Sequence, residues 1–222
     1  MTKQECRKWI TDIGIVPVIR ASSSAQALQA AEAVCAGGIT VVEITMTVPG
    51  AIETIAYLAK AVGKDVLAGA GTVLDAETAQ RCLDAGAEFI VSPGFDLPTV
   101  QLANRLGKLM MAGALTPTEV ISAWRAGSDL VKIFPCSAVG GAKYIKALKG
   151  PLPQIPMVPT GGVNLSTAAE FLQAGAEALG VGGELISAAA LNAGDIASIT
   201  QTAREFIEII QHAREKSPTV IH

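Results

Sequence analysis

Eight short apolar runs, spaced by roughly 20–25 residues, limit what this chain can fold into more than any other feature. They are IGIVPVIR (13–20), TVVEIT (40–45), DVLAGAGT (65–72), EFIVSPG (88–94), LMMAGAL (109–115), LVKIFP (130–135), PMVPTGG (156–162) and ALGVGGEL (178–185). The runs are continuously apolar rather than alternating, the pattern of parallel strands covered on both faces. The spacing is that of a strand followed by a helix.

The gaps between runs carry helix signals. Ser24 is placed to cap AQALQAAEAVCAGG, and Pro49 to open AIETIAYLAKAV. Asp75 is placed to cap AETAQRCLDAGA, and Thr116-Pro117-Thr118-Glu119 to begin VISAWRAGS with a cap and a proline in the first turn. Thr167 or Ser166 opens AAEFLQAGA. Ala-Gly recurs at 36–37, 85–86, 126–127 and 174–175, each pair closing a helix before an even-numbered strand. Glycine there supplies a left-handed cap. A fourfold echo inside eight units predicts one α/β domain over 1–222, a (β/α)8 TIM barrel. A doubly wound open sheet is the alternative, weakened by the lack of a strand-linked GxGxxG. DIASITQTAREFIEIIQHAREK (195–216) reads as a closing amphipathic helix, and 217–222 as a loose tail.

The 222 residues are 50% hydrophobic and 4% aromatic, so a full core must be built from Ala, Val, Ile and Leu. Net charge is −3 and no Lys/Arg cluster stands out, so no nucleic-acid partner is expected. No apolar run reaches about 20 residues, so no membrane span is expected. MTKQECRKWI has no signal-peptide pattern, and Cys6, Cys35, Cys82 and Cys136 lack CxxC spacing; a reduced cytoplasmic protein is expected.

Against that apolar background a few polar residues stand out on the strands. In such a barrel the working groups stand at the C-terminal ends of the strands. Run one ends in Arg20; run two carries Glu43, Thr45 and Thr47; run three ends in Thr72; run four in Ser92-Pro93-Gly94. Run six holds Lys132, run seven ends Thr160-Gly161-Gly162, and run eight carries Gly182-Gly183-Glu184. Leaving an ammonium charged and unpaired in an apolar strand costs several kcal/mol, about what a buried ion loses in hydration. Desolvation favours the free amine, so Lys132 reads as a Schiff-base nucleophile. Glu43 is its partner, as counter-ion, as general acid/base, or as both. A Lys–Glu pair without chemistry is the competing reading. Metal chemistry is disfavoured, because both histidines, His212 and His222, lie on or after the closing helix. Cys136 reads as a packed cysteine. PTGGVN, GVGGEL and AVGG (138–141) have the glycine content of anion-binding turns, or of turns that serve geometry alone.

Lys132, Glu43, GAGTV (69–73), SPG (92–94), KIFP (132–135) and PTGGVN (159–164) fall in order on successive strands. With these motifs the chain resembles the class I 2-keto-3-deoxy-6-phosphogluconate (KDPG) aldolases, also called 4-hydroxy-2-oxoglutarate (KHG) aldolases, from about Trp9 to the closing helix. The resemblance implies a homotrimeric barrel without metal or cofactor, taking a keto-deoxy sugar acid to pyruvate and an aldehyde. It implies that Lys132 forms the Schiff base and that Glu43 is the acid/base. Thr72, Pro93, Phe134 and Thr160 match positions lining the pyruvyl pocket. Arg20 matches an arginine facing the substrate's anionic groups, and Gly161, Gly162, Gly182 and Gly183 match phosphate-binding turns.

Two positions depart from the family pattern. Thr47 stands where some members carry arginine, which leaves carboxylate recognition to Arg20 and backbone groups. Glu184 stands where serine is frequent, and a carboxylate repels a phosphate dianion. The galactonate epimer, KHG or a non-phosphorylated keto acid therefore stay open as substrates. Two further alternatives are a phosphate-binding isomerase or synthase without a covalent step, and a non-catalytic metabolite-binding barrel.

Overall fold

Every apolar run becomes a parallel strand in the computed structural model, which describes residues 1–61 and 65–215. The strands are β1 (Ile15–Ile19), β2 (Val41–Thr45), β3 (Leu67–Gly71), β4 (Phe89–Val91), β5 (Leu109–Ala114), β6 (Leu130–Ile133), β7 (Met157–Pro159) and β8 (Leu179–Val181). Between them lie α2 (Ser24–Ala36), α3 (Ala51–Ala61), α4 (Ala76–Asp84), α5 (Leu97–Arg105), α6 (Pro117–Arg125), α7 (Ala142–Lys149) and α8 (Ala168–Gln173). An N-terminal α1 (Lys3–Ile13) precedes β1; α9 (Ala188–Ala193) and α10 (Ile196–Glu215) follow β8. The strand order is β7-β6-β5-β4-β3-β2-β1-β8, all parallel, and a bridge between Thr160 and Gly180 closes β7 onto β8. This is the expected (β/α)8 barrel and not an open sheet. The expected tail at 217–222 lies outside the described residues.

Capping follows the expected chemistry with local shifts. Asp75 accepts from the Thr78 N–H, and Thr116 and Glu119 form a reciprocal capping box. At α2 the cap is Ser23, which accepts from the Gln26 N–H, whereas Ser24 donates to the Pro49 carbonyl and ties α2 to the turn before α3. At α8 the Thr167 side chain caps nothing; Asn164 Oδ1 accepts from the N–H groups of Ser166 and Thr167 instead. The Ala-Gly repeat holds at Gly86, Gly127 and Gly175, all with positive φ. At the first repeat the left-handed residue is Gly38, not Gly37. Gly37 is needed for another reason: a Cβ there would lie 2.4 Å from the Ala203 Cβ of α10.

Two apolar cores result. The larger lies between the strands and the outer helices and includes Val42, Ile44, Val131 and Ile133. The smaller fills the lower barrel with Val16, Val41, Leu67, Phe89, Leu109 and Leu130, and α1 closes it from below with Cys6 and Ile10. Side chains alternate faces along a strand. Glu43 lies two residues beyond Val41, and Lys132 two beyond Leu130, so both point into the barrel above this apolar floor.

Candidate active site

Lys132 is 3% exposed and Glu43 2%. The Lys132 ammonium lies 5.4 Å from the centre of the Phe134 ring, within range of a cation–π attraction. Lys132 and Glu43 do not form a close ion pair, and among the described residues nothing hydrogen-bonds Glu43 Oε1. A simple buried salt bridge is therefore not what the strands hold. Burial pushes the Glu43 carboxyl above its ordinary range, and the charges of Lys132 and Arg20 offset this only in part. A buried carboxyl with an unused oxygen, near a buried amine, is placed to pass protons.

Glycines on neighbouring strands make room for these groups. A Cβ at Gly71 would lie 1.8 Å from Glu43 Oε1 and 2.4 Å from its Cδ, so the carboxyl lies flat across β3 only because residue 71 has no side chain. Gly180 does the same for Thr160, whose Oγ1 would be 2.1 Å from an added Cβ. Gly113 on β5 likewise lets the Pro93 carbonyl pass close above it. Sequence reasoning missed these three. Their signal was available as small residues at inward strand positions, but a lone glycine in a strand reads equally as a bulge. Gly71→Ala is expected to lower turnover about a hundredfold, the scale of a displacement of about 1 Å in a catalytic group. Far-UV circular dichroism should remain that of the barrel; full activity in the variant would refute the cradle.

The loops complete the site. Thr72 has φ 56°, the only positive φ outside glycine among the described residues. For a β-branched residue this stores about 1–3 kcal/mol of strain, held by its surroundings. Thr45 Oγ1 donates to the Ile19 carbonyl at 2.9 Å and shares a 2.7 Å hydrogen bond with Thr47, fixing the strand end beside Arg20. Ser92 Oγ donates to the Gly94 carbonyl at 2.6 Å and accepts from the Gly113 N–H, shaping the turn that presents Pro93.

A cavity of about 130 Å³ opens at the ends of β7 and β8. It gathers seven of the expected residues: Arg20, Phe134, Thr160, Gly161, Gly162, Gly182 and Gly183. Glu184 also lines it. Lys132 and Glu43 are buried residues outside that lining, and Thr72 and Pro93 belong to the ends of β3 and β4 and are likewise not part of it. Among the described residues nothing accepts a hydrogen bond from the N–H groups of Gly162, Val163, Gly183 or Glu184, so these donors are available to an anion. A larger hollow of about 220 Å³ lies outside the barrel between α7 and α8 and holds none of these groups. Burial raises the Cys136 thiol to about 11, and its Sγ points to the Gly141 carbonyl, as suits a packed cysteine. No three His, Cys, Asp or Glu side chains among the described residues converge to hold a metal ion. No helix among them is long and apolar enough to cross a membrane.

The family model for KDPG and KHG aldolase matches residues 6–202. The chain belongs to the KDPG and KHG aldolase family. It is a class I aldolase, a carbon–carbon lyase. The KHG/KDPG aldolase of Escherichia coli (strain K12) is 35% identical over 93% of this chain and 96% of that protein. The crystal structure of a KDPG aldolase from Legionella pneumophila, with pyruvate captured as a covalent carbinolamine intermediate, aligns with TM-score 0.83 and 30% identity. The alignment covers 90% of this chain and 96% of that one. A cube-shaped protein cage designed by fusing symmetric oligomeric domains aligns with TM-score 0.84 and 31% identity, over 91% of this chain and 74% of that one.

Proposed function

We propose that this aldolase cleaves a 2-keto-3-deoxy sugar acid, foremost KDPG, to pyruvate and glyceraldehyde 3-phosphate, with Lys132 as the Schiff-base residue. The observation that carries the reading is the pair of inward groups above the apolar floor, an amine on β6 and an unpartnered carboxyl oxygen on β2, in a chain of this family.

The Lys132 amine attacks the C2 ketone and gives a carbinolamine. Glu43 protonates the leaving hydroxyl, water departs, and an iminium forms. As a base, Glu43 then takes the proton of the C4 hydroxyl. The C3–C4 bond breaks, its electron pair moves into the iminium, and the aldehyde leaves. The resulting enamine is protonated at C3, and hydrolysis releases pyruvate and the free amine. The iminium is itself the electron sink, so the cycle calls for no metal or cofactor.

Thr72 and Thr160 hold the pyruvyl carboxylate, with Pro93 and Phe134 as the walls of that pocket. The turns at Gly161-Gly162 and Gly182-Gly183, which carry free N–H groups at Gly162 and Gly183, and the Arg20 guanidinium receive the far end of the substrate. KHG and the galactonate epimer fit the same chemistry. The enzyme works in the cytoplasm as a homotrimer; the likeness to a cage designed by fusing symmetric oligomeric domains, at 31% identity, supports an oligomer.

The test is intact-mass spectrometry after incubation with pyruvate and borohydride. A pyruvate-sized covalent adduct on the folded protein is the expected result. Its absence would sink the Schiff-base reading and leave the Lys132–Glu43 arrangement to proton transfer alone.

A further inference from the structure

The cavity at the ends of β7 and β8 has two charged side chains in its lining, Arg20 and Glu184, and both are exposed. Their charges sum to zero. Neither forms an ion pair with another described residue, so both charges are available to whatever occupies the space. Arg20 also lines a second hollow of about 240 Å³, where its neighbours include Ser22, Gln26 and Asn192. There Ser22 Oγ donates to Gln26 Oε1 at 2.6 Å, and Gln26 Nε2 donates to Asn192 Oδ1 at 3.1 Å. These are neutral groups, and the lining of that hollow holds no second cation among the described residues.

A phosphate dianion is held by N–H donors and by positive charge, and a carboxylate beside it works against both. This site offers backbone N–H donors and one guanidinium, and sets a carboxylate against them. We propose that Glu184 is a specificity-determining residue that lowers the advantage of a phosphate ester at the far end of the substrate. The enzyme thereby keeps substantial activity on 2-keto-3-deoxy acids ending in a free hydroxyl, which can donate a hydrogen bond to Glu184. The substrate part of this inference rests on the aldolase reading above; the charge argument does not. A carboxylate about 5 Å from a dianion in water-like surroundings weakens its binding roughly tenfold.

The experiment compares kcat/KM for the phosphorylated and non-phosphorylated acid in the wild type and Glu184→Gln, with Glu184→Ser made alongside. In parallel, inorganic phosphate is titrated calorimetrically into each protein. Removing the charge should raise the phosphorylated-to-free ratio of kcat/KM about tenfold, and inorganic phosphate should bind about tenfold tighter. The non-phosphorylated acid should gain nothing. A ratio unchanged within about twofold in both variants overturns the proposal. If no keto acid is cleaved and no pyruvate adduct forms, the aldolase reading falls on its own. The phosphate titration then decides the role of Glu184, and equal affinity in wild type and variants rejects it.

Discussion

Lys132→Ala should abolish the borohydride-trapped pyruvate adduct and lower kcat/KM by at least about 10⁴-fold, the scale on which loss of a covalent nucleophile is felt. Lys132 is one of ten lysines, and it stands on a strand with its side chain in the barrel. Leu130 below it belongs to the apolar floor, and Phe134 beyond it gives the ammonium an aromatic face. Lys132→Arg separates charge from nucleophilicity. It keeps a cation in the same strand, but a guanidinium stays protonated and cannot add to a carbonyl. The arginine variant should be as inactive as the alanine one while holding its fold. An adduct that persists in both variants would move the Schiff base to another lysine.

The barrel was legible because its strands are covered on both sides. Continuous apolar runs, helix caps such as Asp75 and Thr116, and the Ala-Gly repeat all follow from local chemistry that a sequence displays. Where neighbours compete, the sequence is ambiguous: in Ser22-Ser23-Ser24 the middle serine caps α2, because Ser24 reaches across to Pro49. Lys132 and Glu43 were legible as charges in apolar surroundings. What they do not share could not be read. The absence of a close ion pair depends on how far apart β2 and β6 stand across the barrel. The cradle at Gly71 was hidden because the signal is a missing side chain whose meaning appears only with Glu43 beside it. The left-handed backbone of Thr72 was hidden too, since threonine is a poor choice for that region and only the surrounding turn imposes it.

Glu43→Gln should slow turnover by about 10²–10⁴-fold, the usual contribution of a positioned acid/base, yet leave a pyruvate adduct that still forms, more slowly, because Lys132 remains. In the wild type, activity should rise with pH through a carboxyl lying above the ordinary range, since in the proposed cycle the base form takes the C4 hydroxyl proton. The same shift makes a stability prediction of fixed sign. Burial raises the Glu43 carboxyl in the folded state, with Lys132 and Arg20 offsetting it only partly. Below about pH 4, near the unfolded carboxyl value, both states are protonated and the group is neutral to stability. As pH rises from there to the raised value, the folded state holds more protons than the unfolded one, and stability falls. Above the raised value the deficit is constant. Glutamine has no charge to bury, so the variant escapes this loss. Thermal unfolding followed against pH should show the variant gaining on the wild type across that window and keeping the gain at neutral pH. A pH-independent difference would mean that the Glu43 charge is not held at a penalty. The site's orphaned carboxyl oxygen would then have a partner in solution that the chain itself does not supply.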